Sequence, residues 1–186
     1  MSNIINFYEQ LPKVYKGSGK AKYKNYSKVR IEVPCRMLIA GVSGAGKSNF
    51  VLNVISQVNA FDRVYLLAKQ LDQPLYKWLI EILGKGNIIA SDKIADLPAL
   101  DEFDKNISNL VIFDDFICDD AKTQKRIAEI YVRGRHMNVS PIYLTQSYFA
   151  TDKMIRRNSD YIAIVKINTK KDLARTLVSK RRTLSS

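Results

Sequence analysis

Histidine and cysteine are scarce in this sequence, which has one histidine and two cysteines among 186 residues. Cys35 and Cys118 stand far apart, no Cys-x-x-Cys pair occurs, and His136 has no second histidine beside it. Because a structural zinc ion needs about four such ligands at close spacing, we predict no zinc site. Both cysteines are expected to be small buried hydrophobic residues.

Long apolar runs are also missing, since no stretch reaches the roughly 18 residues that a membrane-spanning helix requires. The first residues, MSNIINFYEQLPK, lack the basic region and apolar region of a secretory signal. We therefore expect no membrane span, no secretory signal and a cytosolic setting. The length, with 46% hydrophobic and 26% charged residues, is typical of one globular domain with its own core.

Acidic residues are the minority, with 18 Asp and Glu against 30 Lys and Arg and a net charge of +12. The basic excess lies at both ends of the chain: nine basic against two acidic residues in 1–60, and ten against three in 150–186. Two basic chain ends favour the binding of a polyanion, with nucleic acid as the first candidate and an acidic membrane surface as the second. A basic surface that only keeps the protein in solution explains the charge equally well. Residues 1–28, with the aperiodic stretch KVYKGSGKAKYKNYSK, are predicted to form a flexible basic arm before a single domain at residues 29–186.

Apolar runs of strand length alternate with longer helical patterns along the chain. We predict strands at residues 36–41, 63–68, 109–115, 141–146 and 161–167, and helices at residues 47–58, 74–83 and 120–136. A short extra strand is predicted at residues 87–90, and residues 95–105 are predicted to be a helix or a loop. Near-continuous apolar strands separated by helices are typical of a parallel sheet covered on both faces. The sequence therefore predicts a three-layer α/β fold with at least five mostly parallel strands.

The segment GVSGAGKS at residues 41–48 matches the Walker A phosphate-loop motif GxxxxGK[ST] at every position. It lies directly between a predicted strand and an amphipathic helix, the context that the motif requires. Glycines let backbone N–H groups point inward, and the helix N-terminus adds positive potential, so phosphate is the expected ligand. The motif assigns the β and γ phosphates of ATP to Lys47 and Mg²⁺ to Ser48. The predicted nucleotide-binding residues are Gly41, Ser43, Gly44, Ala45, Gly46, Lys47, Ser48 and Asn49.

Two carboxylates end the apolar run LVIF, which is the Walker B pattern. Adjacent acids in a low-dielectric crevice raise each other's cost of ionisation, so a cation or a proton-transfer role is expected there. We assign Asp114 to Mg²⁺, held through water, and Asp115 to polarising the attacking water as a base. The alternative is that Asp115 caps a turn.

Gln146 ends the predicted strand PIYLTQ. If this strand joins the parallel sheet, its carboxyl end lies in the same crevice as the phosphate loop and the acids. A neutral amide can donate to a phosphate oxygen and accept from the lytic water. We therefore predict that Gln146 senses the γ phosphate, while a satisfied strand-end amide, or a role for Thr145 instead, is the alternative.

These elements together resemble the additional-strand class of P-loop ATPases. More narrowly, GVSGAGKSNF, VIFDDF, RGRHMNVSPIYLTQSYF and IRRNSDYIAI resemble the virion DNA-packaging ATPases of poxviruses and other large DNA viruses, with relatives in virophages and polinton-like elements. These enzymes belong to the FtsK/HerA superfamily of DNA-translocating motors. The resemblance covers residues 29–167.

This resemblance implies an ATP-driven motor that moves double-stranded DNA into a preformed capsid as a homo-oligomeric ring, a hexamer or a pentamer. It also implies a contact with the capsid vertex, and a location in the host cytoplasm at the viral factory, with the virion as a second location. An arginine finger from a neighbouring subunit is expected, with Arg135 as first candidate and Arg133, Arg156 and Arg157 as competitors. Family members usually continue well past the fifth strand, whereas here only NTKKDLARTLVSKRRTLSS remains, so the expectation is either a shortened form or a fragment of a longer protein.

Two other functions are compatible with parts of the pattern. A P-loop kinase that phosphorylates a nucleoside or small metabolite would need the phosphate loop, but it would need neither Asp115 nor Gln146. A non-catalytic nucleic-acid-binding subunit would need none of the catalytic side chains, yet each expected one is present.

Overall fold

Six parallel strands form the centre of the fold in a computed structural model that describes residues 23–84 and 86–166. In chain order the elements are α1 (Tyr26–Val29), β1 (Met37–Ala40), α2 (Lys47–Val58), β2 (Arg63–Ala68), α3 (Pro74–Leu83), β3 (Ile88–Ser91), β4 (Asn109–Asp114), α4 (Ala121–Arg133), β5 (Val139–Thr145), α5 (Lys153–Asn158) and β6 (Tyr161–Ile164). Short 3-10 turns lie at Ile94–Asp96, Leu100–Glu102 and Gly134–Met137. No helix in the described ranges is long and apolar enough to cross a membrane.

The strand order is β3-β2-β4-β5-β1-β6, and every neighbouring pair is parallel. The sheet therefore places β5 between the phosphate-loop strand β1 and the acid-bearing strand β4. The register aligns Ala40 with Thr145 and Asp114 with Leu144, so these three strands end at one edge. The prediction of a three-layer α/β fold with an additional strand is confirmed.

Two apolar clusters cover the two faces of the sheet. Successive side chains of a strand point to opposite faces, so Val111 and Phe113 pack towards α4, while Leu110 and Ile112 pack towards α2 and α3. Every residue of β4 and β5 is buried, as expected for central parallel strands. Strands β4 and β5 are therefore covered on both faces and paired along both edges.

Several details differ from the sequence prediction. Helix α1 crosses the predicted boundary of the basic arm, and Asn25 Nδ2 donates to the carbonyl of Gln57 at 2.8 Å, so ordered structure begins before Val29. Residues 1–22 and 167–186 lie outside the described residues. The prediction that Cys118 is buried was wrong, because it lies exposed in the loop after β4, whereas Cys35 is buried as predicted.

Replacing Ile112 by alanine should strongly destabilise the fold, because the side chain is fully buried in a central strand. We expect the free energy of unfolding to fall by about 2–5 kcal/mol, from lost burial and the cavity left behind. Denaturant unfolding followed by circular dichroism measures this loss. Ile82→Ala is the matched control, since that side chain is 59% exposed on α3. Equal losses for the two variants would contradict the described burial.

Candidate nucleotide-binding site

The phosphate loop follows β1 and leads directly into α2. Gly44 and Gly46 have φ angles of +70° and +84°, in the left-handed region that side chains rarely adopt. Gly46 is also the residue from which α2 begins, so the free N–H groups of the helix start lie at the loop. A Cβ at Gly41 would come within 3.3 Å of the Lys166 backbone. The curled loop therefore depends on glycine at these positions, as the motif predicts.

Two backbone carbonyls of the phosphate loop hold the side chain of Lys47 over the loop. Its Nζ donates to the Gly41 oxygen at 2.8 Å and to the Val42 oxygen at 3.1 Å. Burial lowers the pKa of Lys47, while the negative charges of Asp114 and Asp115 act in the opposite direction. The ammonium group is thus fixed between the loop and the two acids, where it can meet a phosphate oxygen.

Asp114 ends β4 and is 8% exposed. Burial raises the pKa of Asp114, whereas a 2.6 Å hydrogen bond from the Tyr76 hydroxyl and the charge of Lys47 lower it in part. Among residues 23–84 and 86–166, no cluster of three or more His, Cys, Asp or Glu is arranged to hold a metal. A cation at Asp114 would therefore need oxygens from a hydroxyl, water and a phosphate, which is the way Mg²⁺ binds at nucleotide sites.

Asp115 and Gln146 meet at the mouth of the cleft. Gln146 Nε2 donates to Asp115 Oδ1 at 3.4 Å, and both residues are exposed. The φ angle of Asp115 is +65°, a left-handed conformation that Asp tolerates better than most residues. Within the described chain, no backbone N–H donates to the Asp115 carboxylate. Its one side-chain hydrogen bond there is the contact with Gln146. The geometry favours a carboxylate turned to the cleft over one that caps a turn.

The side chain of Thr145 is hydrogen-bonded within the turn that follows β5. Its buried hydroxyl accepts from the Ser147 N–H at 3.2 Å and pairs with the Thr151 hydroxyl at 3.1 Å. These bonds close the turn that follows β5. Thr145 therefore orients the chain after the strand, which leaves Gln146 as the side chain that faces the acids.

These groups enclose a cleft of about 300 Å³ at the carboxyl edge of the sheet. Its lining residues are Ser43, Gly44, Ala45, Gly46, Lys47, Ser48, Asn49, Gln70, Gln73, Leu75, Asp114, Asp115, Leu144, Thr145 and Gln146. The cleft thus brings together the predicted nucleotide-binding and catalytic residues except Gly41, whose carbonyl accepts from Lys47, and Arg135. Sequence reasoning missed Gln70 and Gln73, from the connection between β2 and α3, and Leu75 in the first turn of α3. The polar residues that follow β2 could have identified this connection.

The four candidate arginines lie in two groups. Arg133 and Arg135 precede the amino end of β5, at the edge of the sheet opposite the cleft, and they pair with Glu129 at 3.0 Å and Glu32 at 3.8 Å. Arg135 therefore does not join the cleft of its own chain. Arg156 and Arg157 lie on α5, which follows the turn after Gln146.

Within α5 the two arginines differ. Arg156 Nε donates to the Thr151 carbonyl at 3.0 Å, and its guanidinium lies 5.4 Å from the Tyr148 ring centre. The side chain of Arg157 is exposed and makes no hydrogen bond or ion pair with the rest of the described chain. Arg156 thus supports the turn, whereas Arg157 is available to a neighbour.

Comparison with known proteins agrees with this site. Residues 86–183, more than half of the chain, match the family model for the poxvirus A32 protein. The chain belongs to the poxvirus A32 protein family. The matched range contains the A32-type segments with Asp114, Asp115 and Gln146, while the phosphate loop precedes it. The resemblance to poxvirus packaging ATPases is thereby confirmed. No curated protein matches the chain.

Solved structures resemble this A32 family member in fold. The genome packaging NTPase B204 from Sulfolobus turreted icosahedral virus 2, in complex with sulfate, has a TM-score of 0.59 and 16% identity, covering 81% of this chain and 82% of that one. B204 with ATP-gammaS has a TM-score of 0.58 and 13% identity, covering 84% and 88%. The cytoplasmic domain of EssC has a TM-score of 0.58 and 10% identity, covering 77% of this chain and 35% of that one. The family member thus has the P-loop NTPase fold, and it spans about a third of the EssC chain.

Proposed function

We propose that this protein is an ATP-hydrolysing motor that moves double-stranded DNA and packages a viral genome into a preformed capsid. The observation that carries the proposal is the contact between Asp115 and Gln146 beside the phosphate loop. A protein that only binds nucleotide needs the loop alone. A carboxylate and an amide placed together at its mouth fit the activation of water and the sensing of the γ phosphate.

Five side chains of the cleft have roles in this reaction. Lys47 and the N–H groups at the start of α2 bind the β and γ phosphates, and Lys47 neutralises the charge that develops on the leaving phosphates. Mg²⁺, which fits the oxygen donors Ser48 and Asp114, would supply positive charge between the phosphates when bound. Asp115 accepts the proton of the attacking water, and Gln146 positions that water. No other acid lines the cleft in the described part of the chain.

Double-stranded DNA and a ring of identical subunits complete the proposal. The net charge of +12 favours a polyanion, and B204, which shares the fold, is itself named a genome packaging NTPase. In a ring, an arginine of one subunit would complete the cleft of the next. Arg135 stays a candidate because it lies at the edge of the sheet opposite its own cleft, and Arg157 stays one because its side chain is exposed on α5. The viral factory, and the capsid vertex as docking site, belong to the same proposal.

Double-stranded DNA should raise ATP turnover severalfold at low salt, because a translocating motor couples hydrolysis to movement along DNA. Affinity for DNA should fall with salt, with a log-log slope of roughly −0.9 per phosphate contacted. Phosphate release measured with and without DNA across a salt series tests both. Turnover that DNA leaves unchanged would contradict the motor. A phosphorylated acceptor in place of free phosphate would instead identify a kinase.

A further inference from the structure

The hydroxyl of Tyr76 contacts Asp114, one of the two residues to which the proposed function assigns the cation. Tyr76 is the third residue of α3, is fully buried, and donates to Asp114 Oδ2 at 2.6 Å. One phenol hydroxyl thus joins the first turn of α3 to the end of β4.

This contact has a definite direction. A phenol has one proton to donate, and the hydrogen bond that it forms goes to Asp114. A carboxylate whose Oδ2 accepts this bond has Oδ1 left for another partner. The bond to Tyr76 therefore sets the orientation of the Asp114 carboxylate.

The surroundings of Tyr76 explain why this arrangement is fixed. The ring packs in the apolar cluster between the sheet, α2 and α3, with Leu79 and Ile112 in the same cluster. A buried hydroxyl in such a cluster must find a polar partner. Because the ring is enclosed, the hydroxyl position is set by packing, and the carboxylate adjusts to it.

We propose that Tyr76 is a positioning residue that orients Asp114 for a divalent cation bound with the nucleotide. This inference rests on the proposed function, since it concerns the cation of the same site. Tyr76 is not among the residues that line the cleft, and it acts through Asp114.

The test measures cation binding rather than turnover. The affinity of mant-ADP, a fluorescent nucleotide, is titrated against Mg²⁺ for the wild-type protein and for Tyr76→Phe, with EDTA as the baseline. We expect the Mg²⁺ concentration for half-maximal effect to rise about 10-fold or more in Tyr76→Phe, because partners that orient metal ligands typically change metal affinity by about 10- to 100-fold. The affinity in EDTA should not change.

Tyr131→Phe is the matched control. Tyr131 is also fully buried and donates one short hydrogen bond, to the Met37 carbonyl at 2.5 Å, at the far end of β1 from the cleft. Its variant should melt at a temperature similar to that of Tyr76→Phe and keep the wild-type Mg²⁺ response. A 4-aminophenylalanine in place of Tyr76 keeps a donor at the ring end and should restore a response close to that of the wild type.

Each other outcome has a distinct meaning. Equal Mg²⁺ responses in the Tyr76 and Tyr131 variants, a Tyr76→Phe protein that does not fold, or an amino variant as impaired as the phenylalanine variant would each overturn the positioning role. A wild-type protein whose nucleotide affinity ignores Mg²⁺ would instead count against the proposed function. The two failures are therefore distinguishable.

Discussion

Asp115→Asn should lower the rate of ATP hydrolysis by about 10²- to 10⁴-fold while leaving ATP binding nearly unchanged, because the variant loses a general base and little else. Asparagine has the same shape, keeps an oxygen that can accept from Gln146, and tolerates the φ angle of +65° found at this position. Single-turnover hydrolysis and equilibrium binding of a fluorescent ATP analogue measure the two quantities separately.

Asp120→Asn is the control for this change. Asp120 is the N-cap of α4, where its carboxylate accepts from the Thr123 N–H at 2.8 Å, and asparagine caps a helix about as well. The control should hydrolyse ATP at the wild-type rate. If Asp115→Asn did the same, the water-activating role of Asp115 would have to be abandoned. A loss of binding equal to the loss of rate would assign Asp115 to the nucleotide instead.

Lys47→Ala should weaken ATP binding by about 10²-fold and make hydrolysis undetectable. Hydrogen bonds to charged groups are worth about 1.5–3 kcal/mol each, and 1.4 kcal/mol corresponds to a factor of about 10 in affinity. The same change removes the positive charge that would offset charge on the transferred phosphate. Isothermal titration with an ATP analogue, together with phosphate release, tests both effects.

Lys125→Ala removes the same charge from an exposed position on α4, on the face of the sheet opposite α2. Measured without DNA, this control should bind and hydrolyse ATP as the wild type does. An equal loss in the two variants would mean that net charge, rather than the phosphate loop, governs nucleotide affinity. Thermal melts exclude unfolding as the cause, since Lys47 also bonds two loop carbonyls.

The cleft was predictable where local pattern and sheet geometry suffice. The phosphate loop is a local motif, so its glycines and Lys47 could be assigned without knowledge of the fold. Asp114, Asp115 and Gln146 stand far from it in sequence, but each follows a buried run. Because parallel strands end at one edge, their meeting could be inferred before the strand order was known.

Other features depend on packing that no local pattern specifies. Tyr76 belongs to the apolar face of α3, and the sequence pattern alone predicts no more than a core residue at this position. Its bond to Asp114 depends on how α3 crosses back over the sheet. The exposure of Cys118 follows from the path of the loop after β4, and the position of α1 depends on the bond between Asn25 and Gln57 of α2. The pairing of Arg135 with Glu32 is likewise set by tertiary structure.

The central position of β5 constrains how a chemical event in the cleft can become movement. All seven residues of this strand are buried, and both its edges are paired, with β1 and with β4. The strand cannot slide without breaking the backbone hydrogen bonds to both β1 and β4. We therefore expect β5 to stay in place while the residues that follow it move. When the partner of Gln146 changes, the displacement must pass into the turn held by Thr145 and Thr151, and from there into α5. The half-buried strand β6, which follows α5 and is the last strand of the sheet among the described residues, would be the next element to receive that displacement.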